Sequence, residues 1–268
     1  MDKILLNAPA FLLVFARCFA LIMTLPLFST RAVTRIAKVA FAGYMAFFML
    51  GNADLTLYNS FLGQDGAFSL YFVFLVLGEA GIGVIIGFYI SIIFAAFSTA
   101  GQFTAFQMGF SAASTYDAMA QVENPLMGQF LNFVAMLIFM QNKWFQRLFL
   151  GGLTASFKSI TAISIAQTNQ TLVTFMLKGL TKLFADALII ALPVMGTLML
   201  ITICTGLLSK AAPQMNLLSE GFPVMILTAF FLIMVLMPEM ADFFERSFAG
   251  GFKALEDLFI SIGGGGLK

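Results

Sequence analysis

Three ionisable side chains stand inside long apolar runs of this sequence: Arg17, Glu79 and Asp186. At a lipid-exposed helix centre each would cost about 2.5–3.5 kcal/mol, so all three must face protein or water. Two chemistries suit such groups, a proton relay or ion pairing between helices. With no histidine in the chain and one such charge per apolar segment, pairing of Arg17 with Glu79 is the favoured reading, within a buried ionic network that Asp186 could share. Cys18 and Cys204 each sit in an apolar run without a nearby ligand partner, which argues against a zinc or haem site and for two small buried hydrophobes. No Cys-His pair or carboxylate cluster suggests a catalytic centre, so neither an enzyme nor a cofactor is expected.

Two further stretches carry information of another kind. From Gln107 to Pro125 a run of small, polar and soft residues, including Gln107, Met108, Gly109, Phe110, Ser111, Tyr116 and Met119, interrupts apolar helices. Irregular backbone at membrane depth is tolerated only where protein buries it or where it lines a water-filled cavity. The stretch is therefore either an ordinary solvent loop or a loop that lines or obstructs a pore, where Met and Phe can seal without locking. Nearer the end, Pro213, Gln214, Met215 and Asn216, followed by Gly221, Phe222 and Pro223, form a corner between two long apolar segments. The prolines are expected to stop helices there and the glycine to allow a tight turn, which gives a hairpin. Gly83 and Gly87, then Gly101, Ala105 and Gly109, place a small residue every fourth position along one helix face, a rib on which helices approach closely, within the subunit or against a neighbour.

The elements that must position these residues are helices in a membrane. The chain is 60% hydrophobic and 10% charged over 268 residues, with a mean hydropathy of +0.98, against about 45–50% apolar and about 25% charged in soluble domains. A net charge of +1 without a basic patch argues against a nucleic-acid partner. The N-terminus, lacking a small-residue cleavage site, is expected to be a first helix and not a cleaved signal peptide. A membrane span takes about 20 apolar residues. Residues 8–28, 184–208 and 222–237 are candidate spans, 39–50 and 130–140 are short, and 67–106 is long enough for two helices or one long bent one. An amphipathic or interfacial helix is expected around 144–157, and an amphipathic tail before the terminal glycines. Positive-inside counting places the basic linker of Arg31, Arg35 and Lys38 in the cytoplasm and the acidic 51–66 loop outside. The same count then demands an extra crossing to accommodate Asp117 and Glu123, so simple alternate crossing fails.

The corner Ala212-Pro213-Gln214-Met215-Asn216 with Gly221-Phe222-Pro223, preceded by Leu192-Pro193 and Gly206-Leu207-Leu208, resembles the FliR family of flagellar export-gate proteins. Arg17 and Pro26 in the first helix, the segment from Gly78-Glu79 to Gly87-Phe88, and Gln107-Met108-Gly109 leading to Asn124-Pro125 fit the same pattern over nearly the whole chain. The injectisome homologues of the SctT family share much of it, and Gly221-Phe222-Pro223 is the more flagellar element. Glu220, and Lys210 where arginine is the commoner residue, depart from the pattern and leave local contacts at the corner open.

The resemblance implies an all-α membrane protein of long tilted helical hairpins, packed as one wedge of a helical ring. Residues 1–179 would be FliP-like, 180–268 a FliQ-like hairpin with an amphipathic tail, and about 106–122 the pore plug. It further implies a hetero-oligomer with FliP-like and FliQ-like subunits, contact with an FlhB-like subunit, and passage of unfolded flagellar proteins across the bacterial inner membrane at the flagellar basal body. Part of the assembly would be raised towards the periplasm. An injectisome gate is the nearest alternative. A secondary transporter with Arg17, Glu79 and Asp186 at a midplane site is the rival of another class, opposed by the lack of a repeat between halves and by the scarcity of polar groups.

Overall fold

The structure, a computed structural model, describes residues 2–29, 33–51, 70–109, 126–211 and 217–263. Every regular element among them is helical: α1 (Asp2–Thr24), α2 (Pro26–Ser29), α3 (Arg35–Leu50), α4 (Leu70–Gln107), α5 (Leu126–Gln141), α6 (Trp144–Gln146), a π-helical segment (Arg147–Leu153), α7 (Thr154–Ser159), α8 (Ala162–Gln167), α9 (Asn169–Ala211) and α10 (Leu217–Gly263). The long apolar run after residue 67 is thus one helix of 38 residues, and Gly78, Gly83, Gly87 and Gly101 within it are packed against other segments. The expected interfacial helix at 144–157 is present in pieces, since a π-helical turn with two adjacent glycines separates α6 from α7. Lys143, at φ 57° and left-handed, directly precedes α6.

Pro223 does not stop a helix. It lies inside α10, as does Pro238, while Pro9 and Pro193 lie inside α1 and α9. A proline removes one ladder bond, and in apolar helices neighbouring groups re-satisfy what it frees. Gly221 is helical too; residues 212–216, between the end of α9 and the start of α10, lie outside the described residues.

The chain divides into two compact units, each assembled from separated segments. The first comprises Met1–Ile92, Lys143–Gly179 and Phe248–Lys268. Here α3 packs on α1, Phe28 and Phe145 both stack against Phe41, and Trp144 stacks on Phe252 with ring centroids 5.0 Å apart. Leu13, Phe72 and Leu75 form a small core. The second unit comprises Ile93–Asn142 and Leu180–Ser247, and its core gathers Met108, Met127, Val194, Leu198, Ala229 and Ile233. Within it, α9 and α10 run as a hairpin whose register is marked by the Ser247 hydroxyl on Asp186 and the Thr202 hydroxyl on the Met225 sulfur.

Among the described residues three helices, α4, α9 and α10, are long and apolar enough to cross a membrane. In the most apolar 18-residue stretch of each, 61% of residues are buried in α4, 28% in α9 and 11% in α10. α4 is therefore a packed core helix, whereas α9 and α10 leave their apolar faces uncovered in the single subunit.

Candidate functional site

The first unit holds a closed polar cluster at the middle of α1. Arg17 and Glu79 are 1% and 0% exposed. The Arg17 Nε donates to Glu79 Oε2 at 2.7 Å and Nη2 to Oε1 at 2.9 Å, a two-pronged pair whose planar geometry only arginine supplies. Nη1 donates to the Ser156 hydroxyl at 3.0 Å, and Nη2 also to the Ile160 carbonyl at 2.9 Å. The guanidinium carbon lies 4.0 Å from the centre of the Phe157 ring.

Local sequence explains how each partner comes to hand. Ile160 is extended, at φ −126° and ψ 128°, between α7 and α8. Thr161 then caps α8, its side chain accepting from the Ser164 N–H while Ser164 reciprocates. The Ile160 carbonyl consequently stands outside any helix, and a buried carbonyl without a donor costs about 1–3 kcal/mol, which Arg17 removes. On the other side, glycines bring α4 in close. A Cβ on Gly78 would lie 2.5 Å from that of Ala162, and one on Gly83 would collide with the Arg17 carbonyl. Gly87 lies on the Thr24 side chain, and the Ser91 hydroxyl donates to the Thr24 carbonyl at 2.7 Å. The glycine rib therefore packs within the subunit, as does Gly101 on the Met127–Gly128 backbone in the second unit.

Asp186 has partners within its own unit. Its carboxylate accepts from Lys182 one turn earlier, at 3.0 and 3.3 Å, and from the Ser247 hydroxyl at 2.7 Å. A lysine four residues away can reach it without a second segment, so pairing is satisfied locally. Cys18 is buried, but Cys204 is exposed, because this stretch of α9 presents its apolar residues outward. Among the described residues no three of His, Cys, Asp and Glu gather as metal ligands.

Of the expected plug residues, Gln107 ends α4, Met108 is fully buried in the second unit's core, and Gly109 adopts φ +84°. The Phe222 ring occupies the space that a Cβ on Gly109 would need. The loop's first residues and the Gly221-Phe222-Pro223 element, two motifs separate in sequence, thus meet. Phe110, Ser111, Tyr116 and Met119, like Pro213, Gln214, Met215 and Asn216, lie outside the described residues.

The geometry is that of fixed clamps between helices. The family model for bacterial export proteins, family 1, matches residues 8–251. The chain belongs to this family. Among its relatives, the flagellar biosynthetic protein FliR of Bacillus subtilis (strain 168) is 28% identical over 98% of this chain and 99% of the relative. FliR of Escherichia coli (strain K12) is 28% identical over 92% and 91%. The surface presentation of antigens protein SpaR of Shigella sonnei is 28% identical over 70% and 72%. As a family 1 export protein the chain is an all-α membrane protein of a type III export apparatus and not an enzyme. Sequence reasoning named Arg17 and Glu79 but missed Ser156, Phe157 and Ile160, which lie about 140 positions away with no spacing signal. The Lys182 to Asp186 spacing of four was a readable signal.

Proposed function

We propose that this family 1 export protein is a core subunit of the flagellar export gate. It would assemble with FliP-like and FliQ-like subunits into a helical ring, contact an FlhB-like subunit, and form part of the gated pore through which unfolded flagellar proteins cross the inner membrane at the basal body. The observation that carries this reading is length set against burial. At about 1.5 Å per residue, α9 with 43 residues and α10 with 47 measure roughly 65–70 Å, whereas the hydrocarbon core is about 30 Å thick. About half of each helix must leave the lipid, yet Val173, Phe184, Leu200, Leu227 and Ile260 are exposed along their whole length. Apolar surface outside lipid needs protein to cover it. A ring raised towards the periplasm supplies that cover.

In this reading residues 1–179 form the FliP-like part and 180–268 the FliQ-like hairpin. The 106–122 stretch plugs the lumen, rooted at Met108 and Gly109. A flagellar gate is preferred to an injectisome gate because the two FliR relatives span more of the chain than SpaR does. Affinity purification from the native membrane should recover FliP- and FliQ-like subunits; isolation alone or as a homo-oligomer would reject the ring. Deleting Ser111 to Ala120 should leave that assembly intact and raise small-molecule leakage across the membrane. An assembled gate with unchanged leakage would reject the plug.

A further inference from the structure

We infer that the turn from Lys143 to Arg147 binds the phosphodiester of an anionic phospholipid through the indole of Trp144 and the two cations beside it. Between Glu123 and Asp186 the chain carries Lys143, Arg147, Lys158, Lys178 and Lys182 and no Asp or Glu. Lys143 and Arg147, four residues apart, are exposed. Among the described residues neither side chain has an ion pair, the pairs being Arg17 with Glu79 and Lys182 with Asp186. Exposed cations alone make a solvated face, and water satisfies them.

Trp144, between them in sequence, is not satisfied. It is 7% exposed, and its indole Nε1 is buried without a hydrogen-bond acceptor. A buried indole N–H usually finds one, and no oxygen of the chain supplies it here. The ring stacks on Phe252, with centroids 5.0 Å apart, and the Arg147 guanidinium carbon stands over the ring, 4.7 Å from its centre. All of these residues belong to the first unit. An ammonium, an indole N–H and a guanidinium, donors without an acceptor on a single turn, suit an oxyanion. An anion that drew Arg147 off the ring would gain the guanidinium's fork of donors and uncover the indole in the same movement.

The surroundings select a lipid's anion. Lys143, Gln146, Arg147, Leu150 and Gly151 are exposed, while Trp144, Leu148 and Phe149 are buried, so the stretch turns its aromatic side inward and its cations outward. Leu150 is 56% exposed, and a Cβ on Gly151 would meet nothing within 4 Å, which leaves an open apolar edge for an acyl chain. Arg147 also opens a π-helical segment of seven residues, a form found frequently at functional sites. Tryptophan with flanking Lys and Arg is the composition of headgroup level in a membrane protein, where basic sites take anionic headgroups. A phospholipid brings the phosphodiester and the acyl chain in one body, whereas inorganic phosphate brings charge alone.

Trp144 is the single tryptophan of the chain, so its fluorescence reports this site alone. The full chain in mixed micelles is titrated with phosphatidylglycerol or phosphatidylcholine brominated on the acyl chain, which quenches a tryptophan in contact. Phosphatidylglycerol should reach half-maximal quenching at about twenty-fivefold lower mole fraction, about fivefold for each of two cations. Lys143→Gln should reduce that preference to about fivefold, Lys143→Gln with Arg147→Gln should abolish it, and Lys182→Gln, in the second unit, should leave it unchanged. With phosphatidylglycerol, the indole N–H band in ultraviolet resonance Raman spectra of the unsubstituted chain should move to its hydrogen-bonded position, which a diffuse attraction of the basic surface would not cause. Equal quenching by the two lipids would overturn the inference, as would an undiminished preference in the double variant or an N–H band that stays in place. Loss of the preference in millimolar inorganic phosphate would assign the site to a free anion, and a carbodiimide cross-link from Lys143 to a neighbouring subunit in the assembled apparatus would assign it to a protein carboxylate. Either of these results overturns the lipid.

Discussion

Glu79 and Asp186 are both carboxylates buried in long apolar helices, and they are held in opposite ways. Glu79 meets a guanidinium from another helix, which is itself tied to a hydroxyl and a carbonyl more than a hundred residues away. Asp186 is met by a lysine on its own helix, 47% exposed at the side chain, and by one hydroxyl from α10. The first arrangement exists only when α1, α4, α7 and the α7–α8 break are all in place. The second is nearly complete once α9 is helical. The difference teaches that a charge in an apolar segment draws its counter-charge from another segment only where its own helix supplies none.

Substitutions can break or sharpen this contrast. Glu79→Ala should have the largest effect, about 3–5 kcal/mol, because it strands the buried Arg17 charge. The purified subunit should unfold at a much lower temperature in detergent, or fail to accumulate. Replacing both partners, Arg17→Met with Glu79→Met, should recover most of that loss, since a buried pair replaced by apolar volume is often neutral. A double variant as unstable as the single one would mean that Arg17's bonds to Ser156 and Ile160 outweigh the pair. Gly83→Ala comes next, at about 1–3 kcal/mol of overpacking, because its methyl collides with the Arg17 carbonyl; thermal denaturation in the same detergent checks it. Asp186→Asn should cost about 1 kcal/mol, retaining an acceptor for Ser247. Lys182→Ala should be the mildest, about 0.3–0.5 kcal/mol, and its effect should disappear in high salt. A Lys182→Ala penalty as large as that of Glu79→Ala would erase the distinction.

Sequence made the helical class, the long apolar run after residue 67 and the pairing partners Arg17 and Glu79 readable, because apolar length and isolated charge are properties of a segment. The glycines at 83 and 87 announced close packing for the same reason. What could not be read was which surface each segment meets. The carbonyl of Ile160 becomes an acceptor only because the chain is extended there, and no residue type encodes that. Pro223 has the composition of a helix stop but is carried inside α10, since the helix around it has ladder bonds enough to lose one. Cys204 and Cys18 look alike in composition and differ in exposure, because α1 is packed within its unit and this stretch of α9 leaves its apolar residues uncovered in the single subunit. Gly109 and Phe222, over a hundred positions apart in two motifs, meet beside a core of Met108, Val194 and Ala229 that only the folded chain assembles.

Two of the three prolines within α9 and α10 share a height. Between the Asp186–Ser247 and Thr202–Met225 contacts, the antiparallel register brings Pro193 of α9 level with Pro238 of α10. Each lacks an N–H and so leaves its helix one rung short. Two missing rungs in one cross-section give the pair a common joint, about which both helices can bend together without sliding past each other. The stiff rods on either side would then swing as a jointed arm, with its elbow fixed by two residues that never need to touch.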